Sequence, residues 1–204
     1  MRKLVIASDN QNKVNEIKEI LKGLPLEILS KNEVGLKNLV VEEDGDTLLE
    51  NSFKKAREIA KQIDWIVVAD DTGLFVEDLC GEPGIYSARY AGEDGNDKKN
   101  VELLLKKLNG KESKAYFETV ISLITEDKKE YTASGRCYGK IVATPRGESG
   151  FGYDPVFQPE GFDKTFGEMD LDTKNRISHR RKALENLKEI LEEILGEDYE
   201  NISN

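Results

Sequence analysis

A single histidine in 204 residues excludes any metal site built from several imidazoles. The two cysteines, Cys80 and Cys137, lie far apart and form no CxxC pair, so neither a zinc site nor a disulfide is expected and both thiols should be free. No apolar run reaches the roughly 18 residues that a membrane-spanning helix needs. The opening MRKLVIASDN has too short an apolar stretch, and no small-residue cleavage pattern, for a signal peptide. A cytoplasmic protein with no membrane partner is therefore expected. Basic residues are also in deficit, 30 against 40 acidic, and the net charge of -10 argues against a broad groove for a nucleic-acid polymer. A local basic pocket remains open to it.

What is present suits a folded α/β chain. At this length one large domain, or two closely packed lobes, can bury about 70% of the unfolded surface. Residues 3–7 form a short apolar run. After SDNQN, residues 13–24 set Val14, Ile17, Ile20, Leu21 and Leu24 on one helical stripe. Residues 48–63 read as a second helix, 65–69 as a strand and 100–108 as a third helix. Residues 115–125 and 130–143 read as paired strands joined by the polar turn EDKK. Residues 147–161 are loop-rich. The last helix, 178–195, starts at Ser178 as N-cap and stops at Gly196. With no repeat, low-complexity tract or linker, the chain reads as one domain, α/β with a mixed sheet.

Four segments carry residues suited to chemistry. In Ser8-Asp9-Asn10-Gln11-Asn12-Lys13, a strand-to-helix loop offers helix N-terminal amides and a lysine to an anion, although Ser, Asp and Asn are equally ordinary helix caps. The acids Glu42, Glu43 and Asp44 and the acids Asp70, Asp71 and Glu77 could hold a hard cation, although residues 42–46 read more simply as a solvated acidic loop. Asp70 and Asp71 are adjacent and repel unless a positive group stands by them, and they follow Val67-Val68-Ala69 where a turn is expected. Phe151, Gly152, Tyr153 and Asp154 put two aromatic rings and a carboxylate in a glycine-rich loop, a stacking surface or else a core-packing turn. Lys174 and Ser178-His179-Arg180-Arg181 gather cations and the one imidazole, donors for a ligand carbonyl. Neighbouring positions at a helix start make a Ser178–His179 triad geometry untenable. Together these are the parts of a nucleotide site.

The same segments, in this order, resemble the inosine triphosphate pyrophosphatase or Ham1 family. The resemblance rests on Ser8-x-Asn10-x-x-Lys13, Ala69-Asp70-Asp71-Thr72-Gly73-Leu74, Pro83-Gly84-Ile85-Tyr86-Ser87-Ala88-Arg89-Tyr90, Gly150-Phe151-Gly152-Tyr153-Asp154-Pro155 and Ser178-His179-Arg180. It implies an elongated mixed sheet flanked by helices, two lobes with a central cleft, and a homodimer. Ser8 to Lys13 then resembles the triphosphate cradle, and Asp71 the acid serving as Mg²⁺ ligand and proton acceptor. Thr72 resembles a phosphate contact and Glu42, adjoined by Glu43, the second metal ligand. Phe151, Gly152, Tyr153 and Asp154 resemble the base and sugar loop, and Lys174, His179 and Arg180 the remaining substrate contacts. The implied activity is hydrolysis of non-canonical purine triphosphates (ITP, dITP, XTP) to the monophosphate and pyrophosphate. A Maf-type pyrophosphatase is the related alternative, against which the His179-Arg180 pair argues, and a nucleotide sensor that binds without cleaving is the non-enzymatic one.

Overall fold

The computed structural model describes residues 1–92 and 95–202. In chain order the elements are β1 (Arg2–Ile6), α1 (Gln11–Ile20), β2 (Leu26–Ser30), α2 (Leu48–Ala60), β3 (Ile66–Val76), β4 (Pro83–Gly84), α3 (Asp97–Leu108), β5 (Ser113–Ile124), β6 (Glu130–Ile141), β7 (Phe157–Pro159), α4 (Leu171–Ile177) and α5 (His179–Ile202). The strands form one mixed sheet in the order β2-β1-β3-β5-β6-β7, with β4 also paired to β3. β1 runs parallel to β2 and β3, whereas β3–β4 and β6–β7 are antiparallel. The α/β class read from the sequence is the one found.

The chain forms two compact units. The first comprises residues up to Asp71, Val120–Gly135 and Lys182 onward, and the second Thr72–Thr119 and Arg136–Arg181. In the first unit, residues 4–6 of β1 and 66–69 of β3 are apolar without alternation because both of their faces are covered. Leu4, Ile6, Ile66 and Val68 pack with Val14 and Ile17 of α1 and with Leu184, Leu187 and Leu191 of α5, while Val5, Val67 and Ala69 pack with Ala56 and Ile59 of α2. Each of those fully buried α5 leucines contributes about 1.5–3 kcal/mol. In the second unit, Leu74, Val76, Phe117, Cys137, Ile141 and Phe157 turn to one side and pack with Leu104 and Leu108 of α3. The residues that alternate with them lie on the other side, Phe75 stacked on Tyr116 with centroids 5.0 Å apart and Tyr138 tilted against Tyr116 at 5.6 Å.

Three expectations are corrected. The strand expected to close at Ala69 runs on to Val76, so Asp70 and Asp71 lie within β3 and not in a turn. The first helix ends at Ile20, because Gly23 takes φ +99° and Pro25 follows, and a strand, β2, then begins at Leu26. Gly196 does not stop α5, which continues to Ile202. The short helix α4, capped by Asp170, and strand β7 were both unread in the sequence.

Candidate active site

Strand alternation explains why two adjacent carboxylates can both be buried. Ile66, Val68 and Asp70 point to the side of the sheet that α1 covers, and Val67, Ala69 and Asp71 to the side that α2 covers. Each acid therefore meets its own lysine. Lys13 Nζ lies 2.8 Å from Asp70, whose side chain is 1% exposed, and Lys55 Nζ lies 3.6 Å from Asp71. Lys55 also donates to Glu43 at 2.8 Å. Burial raises the Asp71 carboxyl above its ordinary value, with the Lys55 charge opposing and Glu43 reinforcing the shift. Burial disfavours the Lys55 ammonium, but Asp71 and Glu43 outweigh it and hold its pKa above the usual lysine value.

Lys55 is the member of this cluster that sequence reasoning missed. Its signal is positional: Ser52, Ala56 and Ile59 are buried on one face of α2, and Lys55 falls within that stripe. A lysine there needs a carboxylate to face. The loop that supplies Glu43 is fixed by Asn51, fully buried, whose Oδ1 accepts from Gly45 N at 2.8 Å, and by Glu50, which accepts from Asp46 N at 2.7 Å. Asp44 pairs with Lys54. Glu42, expected to be the metal ligand, is exposed, while its neighbour Glu43 reaches the Lys55–Asp71 cluster.

At the start of α1, Asn10 Oδ1 accepts from the amides of Asn12 (3.0 Å) and Lys13 (3.3 Å), and Ser8 Oγ accepts from Asn10 N. The capping role is thus the one these side chains play here. Gln11 bonds Asn15, and Asp9 is paired with Lys31 at 2.6 Å. Gln11 and Asn12 are exposed.

The second unit brings together the other predicted residues. Asp154, 4% exposed, accepts from Phe151 N at 2.8 Å and from Lys174 Nζ at 2.5 Å. Burial pushes its carboxyl up, opposed chiefly by the Lys174 charge. Gly150 is required beside it: a Cβ there would come within 2.0 Å of Asp154 Oδ2, and its φ is +81°. Gly152 N donates to Asp97 at the start of α3 (2.7 Å), which ties down the loop from the other side. The Lys174 ammonium and the Arg180 guanidinium lie 4.7 and 5.8 Å from the half-buried Phe151 ring. His179 stacks on Phe117 with centroids 4.6 Å apart, and Ser178 Oγ caps α5 by accepting from Arg181 N. Of the two roles open to Tyr153, stacking and core packing, the structure takes the second: it is buried in the core of this unit with its hydroxyl donating to Ser87 O at 2.8 Å. Thr72 pairs with Thr119, hydroxyl to hydroxyl, at 2.8 Å.

Cations beside buried acids in one unit, and an aromatic ring under two cations next to a buried carboxylate in the other, are the chemistry of an α/β nucleotide-handling protein. The chain belongs to the Ham1 family, whose model matches residues 4–190. It is 53% identical, over 96% of its length and 100% of the relative's, to the dITP/XTP pyrophosphatase of Clostridium perfringens. Among solved structures it is similar to the Ham1 protein of Staphylococcus aureus, with TM-score 0.86 and 42% identity over 94% of this chain and 98% of that one. A HAM1 protein from Coxiella burnetii gives TM-score 0.88 and 37% identity over 95% and 100%.

Proposed function

We propose that this chain hydrolyses non-canonical purine nucleoside triphosphates (ITP, dITP and XTP) to the nucleoside monophosphate and pyrophosphate. The observation that carries the reading is the Asp71–Lys55–Glu43 cluster in a chain half identical to a relative named dITP/XTP pyrophosphatase. The proposed domain spans residues 1–204, with the phosphates assigned to the Ser8–Lys13 loop and Thr72 and the base to Phe151, His179 and Arg180.

The residues fit a divalent cation. Asp71 and Glu43 already share one cation, the Lys55 ammonium, and no third acid joins them in a metal-ready group among the described residues. Two carboxylates suit Mg²⁺, which takes its other ligands from phosphate oxygens and water. When bound, it stabilises negative charge on those oxygens. Water attacks the α-phosphorus, the bond from that phosphorus to the bridging oxygen of the β-phosphate breaks, and pyrophosphate leaves. Asp71 orients the water and takes its proton, and Lys13 offsets charge on the departing pyrophosphate. Thr72 and the Ser8–Lys13 loop donate to phosphate oxygens. Asp154 and Lys174 hold Phe151 as the stacking ring, and His179 and Arg180 donate to the 6-oxo group of the base. Adenine presents an amino donor at that position and leaves them unpaired, at about 1–3 kcal/mol each. Guanine shares the 6-oxo group, so these donors exclude ATP rather than GTP.

Glu43→Gln should lower the rate of pyrophosphate release from ITP at limiting Mg²⁺ by about a hundredfold, and Glu42→Gln by no more than about twofold. The reverse order would return the metal to Glu42. Orthophosphate as the first product, or full activity in excess EDTA, would remove the proposed chemistry altogether.

The proposed enzyme works in the cytoplasm, where its substrates arise, as a homodimer. The partner copy docks on the Phe75–Tyr116–Tyr138 face of the second unit. A cavity of about 760 Å³ opens there, lined also by Phe162 and Pro159. Tyr138 is 53% exposed, and charges of both signs pair around it, Arg136 with Glu118 and Lys140 with Glu112. A face that is apolar and balanced in charge fits a copy of itself better than a polyanion. Tyr138→Glu should convert the dimer to a 23.0 kDa monomer in sedimentation; a variant that sediments with the wild type would place the interface elsewhere.

A further inference from the structure

Asp9 is a carboxylate on the loop proposed to receive phosphates, where its charge has the wrong sign. Lys13, the loop's own cation, does not offset it, because that ammonium stands 2.8 Å from Asp70. The offset comes from outside the loop. Lys31 follows the last residue of β2, and its backbone N–H donates to Ile6 O at 3.0 Å, which sets it beside the end of β1 where the loop begins. Its side chain is buried, yet its ammonium reaches Asp9 Oδ2 at 2.6 Å and Leu39 O at 2.9 Å. Asp9 is 64% exposed on its side chain, so water alone would solvate it. An acid this exposed gains little from an ion pair, and the pairing makes better sense as control of local charge.

We propose that Lys31 is a positioning residue for triphosphate binding: it cancels and holds aside the Asp9 carboxylate, so that the phosphate loop meets its ligand without a net negative charge. This rests on the reading of Ser8–Lys13 as the phosphate loop. The Asp9–Lys31 pair has zero net charge, Asp9→Asn leaves it at +1, Lys31→Met at -1, and the double variant at zero again. Affinity should follow that charge.

The test measures KM and kcat for ITP with the wild type and the three variants, and, separately, calorimetric binding of inorganic triphosphate. Lys31→Met should raise KM and weaken triphosphate binding about five- to tenfold, and Asp9→Asn should tighten both about two- to threefold, as expected for one unit charge near a polyanion in a wet site. The double variant should return to within about twofold of the wild type, and kcat should move less than KM throughout. A double variant as impaired as Lys31→Met would overturn the proposal, because Lys31 would then matter as a brace for Leu39. If Lys31→Met fails to fold, Asp9→Asn decides alone: unchanged or weaker binding overturns the idea. A wild type that binds inorganic triphosphate in this charge order but releases no pyrophosphate from ITP would sink the proposed activity and leave the charge argument standing.

Discussion

Asp71→Asn is expected to lower kcat/KM for ITP by at least about a thousandfold while making the protein more heat-stable. The loss follows from removing a charge that would both hold the cation and take a proton from water, effects that together supply several kcal/mol of transition-state stabilisation. The stability gain follows from burial, which raises the Asp71 carboxyl above its unfolded value. A folded-state pKa raised in this way means that the folded protein holds the proton more tightly than the unfolded chain does. The group's contribution is thus favourable below the unfolded pKa and is lost as pH rises through the folded one. At neutral pH the ionised carboxylate is a cost, and asparagine removes it while Lys55 keeps Glu43 as its partner. A Tm rise of about 2–4 °C is expected for each kcal/mol recovered in a chain of this size. Mg²⁺ should raise the Tm of the wild type and not that of the variant. A variant that retained activity at saturating Mg²⁺ would exclude Asp71 from the reaction.

Lys174→Met should be the most destabilising of the site substitutions. Lys174 and Asp154 are 7% and 5% exposed on their side chains and meet at 2.5 Å, so removing the lysine strands a buried carboxylate. Breaking a buried pair from one side costs about 3–5 kcal/mol, which lowers Tm by about 10 °C. Burial already holds the Asp154 carboxyl above its ordinary value, and loss of the Lys174 charge raises it further. The deficit should therefore shrink as pH falls and Asp154 takes up a proton, and melting at pH 5 and pH 7.5 reads it directly. A deficit independent of pH would mean that packing against Phe151 and Phe166, and not charge, is the function of Lys174.

The parts of the site legible in the sequence were those whose residue types are unusual for their place. Asp70 and Asp71 after an apolar strand, and Asp154 between an aromatic and a proline, announce themselves, and all three are buried. The fate of the strand did not: β3 continues through two acids because Lys13 and Lys55 neutralise them from opposite sides of the sheet, and those partners lie 57 and 16 positions away from their acids. Tyr153 was left undecided for a related reason. An aromatic in a glycine-rich loop suits stacking and core packing alike, and only the Ser87 carbonyl that receives its hydroxyl decides between them. Glu42 and Glu43 are indistinguishable by type. Asn51, by holding Gly45, fixes which of the two turns toward Lys55. Strand β2 escaped because Leu26–Ser30 is too short to alternate visibly, and α4 because its seven residues bury only Lys174.

Base selection by donors on the second unit is the central claim, and the ratio of kcat/KM for ITP to that for ATP tests it most directly. The account predicts a ratio of at least about a hundred in the wild type, because ATP would leave both the His179 and Arg180 donors unpaired. Arg180→Ala should collapse the ratio, whereas Lys13→Ala should slow both substrates and leave it unchanged, since a phosphate contact is common to every triphosphate. Equal kcat/KM for ITP and ATP in the wild type, or a ratio moved more by Lys13→Ala than by Arg180→Ala, would contradict it.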